Sequence, residues 1–330
     1  MASLYVFQWS ITSRQTIEKN KLLCYNYGMQ TVLLISNIAV DNNQTAILRS
    51  FVTALNDRDS AVHYAFAAVQ DLVFELTDRG ESHIWLHGHE LAEQCTTLHL
   101  RNMQKYPDYA NALRLYTEAR GLQLVNRADA TYPYLGKVSQ GFLFGQQGIA
   151  TPALLSSPSN ATLSAWLDER RVAYPLIIKH NDGVMGLHNH LVHGAAEKDV
   201  VLQQAKQHYL AQPFIANDGE YRVLTFGTDE PPLIFRKRAG AGSHLNNTSR
   251  GGQAELVEAA AVDAVVLNDA LRAAAVTGRD IGGVDVLLAS SGEHYVLEVN
   301  STPQLAMGAF GDLKQDRYAH FHERQEGARQ

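Results

Sequence analysis

Two apolar segments near the C-terminus, Gly283-Val284-Asp285-Val286-Leu287-Leu288 and Tyr295-Val296-Leu297-Glu298-Val299-Asn300, each carry an acid at a strand-like position. Ser290-Ser291-Gly292-Glu293 between them has turn chemistry, so the pair reads as a β-hairpin. A turn centred on Ser291-Gly292 sets Val284 opposite Val299, Val286 opposite Leu297 and Leu288 opposite Tyr295. The same register sets Asp285 opposite Glu298 on the other face, with Asn300 beside them and the apolar Leu287 and Val296 flanking. Like charges placed directly opposite destabilise a sheet, so this face calls for a cation between them. Solvent-facing acids are the bland alternative, and the apolar flanks and the sharp exit at Ser301-Thr302-Pro303 weigh against it. Oxygen-only ligands suit Mg²⁺ or Mn²⁺.

With 330 residues, the chain is long enough for two or three subdomains. Its 28 basic and 34 acidic residues give a formal charge of −6 without a polybasic run, so neither nucleic acid nor a membrane surface is an expected partner. Cys24 and Cys95 are the only cysteines and form no C-x-x-C, which fits a reducing cytoplasm and argues against a disulfide scaffold. Met1 to Thr16 lacks the pattern of a signal peptide, and no apolar run approaches a membrane span.

Thr31 to Asn37 and His83 to His87 read as buried strands, and Ala61 to Leu76 and Asn111 to Arg120 as helices, giving an open α/β layer in the first third. Gly121 to Tyr134 is loop-like, and Leu135 to Gly148 is expected to be a helix closed by glycine. Thr162 to Arg171 follows as a helix, and Pro175 to Lys179 as a strand delivering a lysine. Val257 to Val276 reads as one alanine-rich helix, and from Lys314 the charged tail is expected to fray.

Lys179 leads into a loop containing Gly183 and Gly186, where backbone N–H groups can approach phosphate, although such glycines alone are more often turn formers. Neither G-x-x-x-x-G-K-[ST] nor G-x-G-x-x-G occurs, and G-x-S-x-G and H-E-x-x-H are absent too. Glu220 and Arg222 share a strand face, and cations in Phe235-Arg236-Lys237-Arg238 and at Arg250 bracket a glycine-rich bend, as an anion-handling loop would. His188, His190 and His193 have spacing that a zinc site could use, but no carboxylate or cysteine accompanies them.

In this order the pieces resemble the ATP-grasp superfamily of carboxylate–amine ligases, and within it the RimK-like glutamate ligases and LysX-like ligases. The resemblance runs from about Asn126 to Phe310. It rests on Gly136-Lys137, Gly148-Ile149-Ala150-Thr151-Pro152, Leu176-Ile177-Ile178-Lys179, Gln212-Pro213-Phe214-Ile215, Gly219-Glu220-Tyr221-Arg222, Asn247-Thr248-Ser249-Arg250-Gly251-Gly252, Gly283-Val284-Asp285 and Glu298-Val299-Asn300-Ser301-Thr302-Pro303. It implies an α/β (α+β) ATP-grasp fold. The expected divisions are an N-terminal α/β domain over 1–128, a central lid subdomain over 129–208, a C-terminal subdomain with the metal site over 209–312, and a charged tail over 313–330.

By resemblance, Lys137, Lys179, Gly183 and Gly186 contact ATP phosphates. Gln212, Pro213, Phe214 and Ile215 line the adenine pocket, and Glu220 holds the ribose. Asp285, Glu298 and Asn300 bind Mg²⁺ or Mn²⁺, with two ions implied, and Arg222, Arg238, Asn247, Arg250 and Gly251 hold the transferred phosphate and the substrate carboxylate. His180 stands where the family often has proline, and Val184-Met185 separate the loop glycines, which departs from the family pattern. The implied activity joins a small-molecule carboxylate to an amine, either of them an amino acid or peptide, through an acylphosphate. An ATP-grasp kinase acting on a hydroxyl and an inactive nucleotide-binding module are the alternatives, and the sequence is silent on homo-oligomerisation.

Overall fold

The structure is a computed structural model that describes residues 30–37, 43–131, 135–181, 188–204, 207–238, 253–306 and 308–327. The expectations for Met1 to Thr16, Cys24, Gly183, Gly186, Asn247, Arg250 and Gly251 lie outside these residues.

The first layer comprises β1 (Gln30–Ser36), α1 (Asn43–Asn56), β2 (Val62–Ala68), β3 (Leu72–Leu76), β4 (Ser82–Leu86), β5 (His89–Glu90), α2 (Leu91–Gln94), β6 (Thr97–Arg101), α3 (Pro107–Arg120), β7 (Gln123–Val125) and α4 (Arg127–Thr131). Its main sheet is parallel, in the order β2-β1-β6-β7. The run Val32 to Ile35 is buried on both faces, as a covered parallel strand should be. Leu33 and Ile35 meet Leu113 and Tyr116 on α3, whereas Val32 and Leu34 join Phe51 and Leu55 on α1.

The helix expected over Ala61 to Leu76 is instead β2, a 3₁₀ turn at Val69–Asp71 and β3. Alanine favours helix, but Val62, Tyr64 and the Ala65, Ala67 and Ala68 that follow fit beside β1 in unbroken register from Gln30↔Val62 to Ser36↔Ala68, and this pairing overrides propensity. His83 to Leu86 is a strand as expected, although β4 sits in a separate antiparallel sheet, β3-β4-β5. The stretch read as loop after Gly121 holds β7 and α4.

The second unit comprises α5 (Lys137–Gln146), β8 (Leu155–Ser156), α6 (Asn160–Glu169), β9 (Leu176–His180), β10 (Asn189–Val192), α7 (Ala195–Gln204) and β11 (Tyr209–Pro213). Its sheet, β10-β9-β11-β8, packs Leu176, Ile178 and Tyr209 onto Leu163 and Leu167 of α6 and Leu202 of α7. The third unit comprises β12 (Asn217–Phe226), β13 (Leu233–Arg238), β14 (Gln253–Val257), α8 (Ala264–Val276), β15 (Ile281–Ala289), β16 (His294–Asn300) and α9 (Gly311–Gly327). Its antiparallel sheet runs β14-β13-β12-β15-β16, with α8 packed against one face. The single helix expected over Val257 to Val276 starts only at Ala264, because Asp263 caps it by accepting from Val265 N–H at 2.7 Å, and β14 and a 3₁₀ turn occupy the earlier residues. None of the described helices is long and apolar enough to cross a membrane.

The charged tail is α9, and it does not read as frayed: Tyr318, Ala319 and Phe321 enter a core shared by β1, α1, β12 and β13. Arg317, His320 and Arg324 surround the buried Glu230. Inside the same joint, His322 packs against Tyr318 with ring centroids 4.7 Å apart, and His99 Nδ1 lies 2.8 Å from Tyr318 Oη. Burial holds His322 at about 3 and pushes His99 well below the usual histidine range, with Arg101 and His322 adding to the latter. A histidine with a depressed folded pKa stabilises the fold above pH 6.5 and loses that contribution as acid is added. Between pH 7 and pH 5, His322 is expected to withdraw about 2 kcal/mol from the unfolding free energy. Urea unfolding at the two pH values, compared between wild type and His322→Phe, checks this; an unchanged pH slope in the variant refutes it.

Candidate functional site

The hairpin closes by a three-residue loop, Ser290 to Gly292, with Gly292 at φ +94° and Ala289 N–H bonded to Glu293 O at 2.9 Å. Val284↔Val299 and Asp285↔Glu298 pair as expected, but Val286 faces Val296, Leu287 faces Tyr295 and Leu288 faces His294. A β-bulge at Leu297 explains the shift: the turn is one residue shorter than expected, and the bulge restores the register before Glu298. Val296 therefore points into the core and does not flank the acids.

Neighbouring strands extend the acidic face. Arg222 on β12 is the Cα partner of Asp285, and Glu220 is the partner of Lys237 on β13. Arg222 Nε lies 2.7 Å from Asp285 Oδ1, Lys237 Nζ lies 3.1 Å from the same oxygen, and Lys237 also pairs with Glu220. On the other side, Lys137, the first residue of α5, holds Glu298 Oε2 at 3.1 Å. Asn300 Nδ2 is 3.2 Å from both Asp285 Oδ2 and Glu298 Oε1, so the three side chains converge.

Burial alone would raise the Glu298 pKa, but the ammonium groups of Lys137 and Lys179, with Arg222, hold it at about 2. Burial and the Asp285 charge raise Glu220. Burial would lower Arg222, and the carboxylates of Asp285, Glu220 and Glu298 more than offset this. Lys179 is held at about 8, chiefly by desolvation, with Glu298 opposing and Lys137 adding to the drop.

The donor set fits a hard divalent ion. Among the described residues no three His, Cys, Asp or Glu side chains form a metal cluster, so the centre has two carboxylates and an amide. A half-turn of the Asn300 amide would place its oxygen where its nitrogen now bridges the two carboxylates, giving three oxygen donors at one point. Few protein carboxylates, with the remaining positions left to phosphate and water, is the Mg²⁺ pattern.

The smaller sheet supplies the opposite wall. Pairings Lys179↔Leu210 and Ile177↔Gln212 put these four residues on one face, while Ile178, His180, Tyr209 and Ala211 occupy the other. Lys179 interacts electrostatically with Glu298, Glu220 and Asp285, so its face looks toward the acids. Lys137 Nζ also donates to Asn181 O at 3.3 Å, tying α5 to the end of β9. Gln212 is buried, Pro213 is exposed, and half-buried Phe214 and Ile215 carry the chain from β11 to β12, with Phe214 N–H bonded to Pro175 O at 3.0 Å. His188 and His190 lie among His180 and Tyr209, away from the acidic cluster, and His193 N–H is bonded to Glu197.

One expected residue is misplaced. Arg238 lies on the strand face of Arg236, more than half exposed and 3.6 Å from Glu255, while the residue facing Asp285 is Lys237. Side chains alternate along β13, so only one of two adjacent cations can enter the cleft, and pairing with Glu220 selects Lys237. Counting alternation back from Glu220 across the β12–β13 turn would have identified it.

Residues 136–313 match the family model of the RimK-like ATP-grasp domain. A probable alpha-L-glutamate ligase of Sodalis glossinidius is 29% identical over 204 residues, 60% of this chain and 66% of that protein. One from Rhodopirellula baltica is 32% identical over 141 residues, 42% of this chain and 34% of that protein. The chain thus spans just under two thirds of the first relative's length and about a third of the second's. Among solved structures, the VanG D-Ala:D-Ser ligase from Enterococcus faecalis superposes with TM-score 0.64 at 13% identity, covering 91% of this chain and 99% of that one. The ATP-grasp ligase PsnB complexed with minimal precursor, Mg and ADP gives 0.62 at 17% identity, covering 88% and 97%. These likenesses establish the α/β ATP-grasp fold. With the family match running over more than half its length, the chain belongs to the RimK-like ATP-grasp family.

Proposed function

We propose that this protein is an ATP-dependent ligase that joins a carboxylate to an amine through an acylphosphate, releasing ADP and phosphate, with an amino acid or small peptide as substrate. The observation that carries the reading is the convergence of Asp285, Glu298 and Asn300 beneath Lys137, Lys179, Arg222 and Lys237. Four cations, Lys137, Lys179, Arg222 and Lys237, stand around three acids, Asp285, Glu298 and Glu220, an arrangement suited to phosphate oxygens and to a negatively charged transition state.

In this reading Asp285, Glu298 and Asn300 hold Mg²⁺ or Mn²⁺, which would neutralise phosphate charge when bound. Lys137 and Lys179 take phosphate oxygens, and Gln212 with Pro213, Phe214 and Ile215 receives adenine at the strand junction. Glu220, near the start of β12, serves the ribose. Arg222 and Lys237 balance charge on the transferred phosphate and the substrate carboxylate. A carboxylate oxygen is a poor leaving group and phosphate a good one, so the chain needs no side-chain nucleophile; positioning and charge suffice. The named relatives are probable alpha-L-glutamate ligases, which supports an amino acid as one substrate.

Coupled ADP release across amino-acid and short-peptide pairs, followed by mass spectrometry, tests the proposal. ADP and phosphate should appear only with both an acid and an amine, together with a product whose mass is the sum of the two less one water. A stable phosphorylated product with no amide would make the protein a kinase.

A further inference from the structure

Among the described residues β16 lies at the edge of its sheet, with no strand on its outer side. At Val299, between Glu298 and Asn300, one side chain on another element meets both backbone groups, with Arg279 Nη1 sharing the carbonyl at 3.3 Å. Val299 N–H donates to Gln140 Oε1 at 2.6 Å, and Gln140 Nε2 donates back to Val299 O at 3.2 Å. A primary amide bonded this way reproduces the donor–acceptor pair that a neighbouring peptide would present. Gln140 is only 4% exposed, and its amide is steadied by a second bond to Leu135 O at 2.7 Å.

Gln140 sits on α5 three residues after Lys137, a spacing that brings both side chains to one side of the helix. Lys137 holds the Glu298 carboxylate while Gln140 holds the next peptide along, so α5 grips both the side chain and the backbone of one dipeptide. The Val299 side chain is locked in the core on the opposite sheet face from Glu298 and Asn300. Fixing the Val299 peptide therefore fixes the directions of the two flanking side chains.

We propose that Gln140 is a positioning residue for the divalent-ion centre, acting as a surrogate strand that sets Glu298 and Asn300 and couples Lys137 to them. This rests on the ion-binding role given above to Asp285, Glu298 and Asn300. Helix α5 and the end of β16 then move as one body, so a lysine and two ion ligands keep their spacing. Loss of an outer group that orients a metal ligand typically weakens metal binding 10–100-fold.

The test uses the full chain and Mn²⁺ as probe, with free Mn²⁺ read by electron paramagnetic resonance in the presence of ADP. Gln140→Met, close in shape but without the amide, should weaken Mn²⁺ binding about 10–100-fold. ADP binding in EDTA should stay within about twofold, and amide exchange at Val299 should accelerate. Gln140→Glu keeps the acceptor and loses the donor, should show a smaller loss, and carries the test if the methionine variant does not fold. A purely structural role would lower the melting temperature and leave Mn²⁺ affinity alone; affinity within about twofold of wild type in a folded variant overturns the inference. Wild-type protein that binds ADP no better with Mn²⁺ than without it is a different result: it would remove the ion centre itself, and the inference with it.

Discussion

Glu298→Ala is expected to lower kcat by on the order of a thousandfold while leaving the fold intact. The carboxylate stays charged down to about pH 2, faces Asp285 across the hairpin and holds Lys137 at 3.1 Å. Its side chain lies on the cleft face, whereas Val296 and Val299 anchor the strand in the core, so removal leaves the packing unchanged. It also frees two ammonium groups from their counter-charge. ADP binding without metal should therefore hold or tighten, while metal-dependent binding is lost. Steady-state rates, thermal unfolding and calorimetry with and without Mg²⁺ separate these effects, and full retained activity would contradict the assigned role.

Lys179→Ala is expected to weaken ATP binding about 10–100-fold, the worth of one charge-assisted contact in a partly dry cleft. Lys179 adds a signature in pH. Desolvation holds it at about 8 in the nucleotide-free protein, and phosphate would favour its charged form. Above pH 8 the protein must take up a proton before it binds, so affinity should fall about tenfold from pH 7 to pH 9. The decline should be absent in Lys179→Ala. Equal nucleotide affinity in wild type and variant at pH 7 would remove the residue from the site.

The acid pair was legible because it depends on two segments a few residues apart. Alternation is a local rule, and Asp285 and Glu298 meet whichever elements surround them. Even there the reading succeeded through two offsetting features, since the shorter turn and the bulge at Leu297 cancel before Glu298 but not at Val296. Helices α3, α5 and α6 were legible within a few residues, because their apolar spacing and terminal signals are also local. Ala61 to Leu76 was misread because its best partner, β1, precedes it by some thirty residues and no local pattern announces the pairing. The tail failed for the same reason: Tyr318 and Phe321 look sparse among charges until α1, β1, β12 and β13 converge on them.

Sequence alone determined the family and the pairing of Asp285 with Glu298, because the order of motifs and the period of two along a strand are both written in the chain. Tertiary structure decided which of Lys237 and Arg238 enters the cleft, where β16 slips by a residue, and that Gln140 stands in for a missing strand. The physical reason is common to all three. A side chain's direction depends on its pairing partner, and a partner brought in from far along the chain exists only once the sheets have formed.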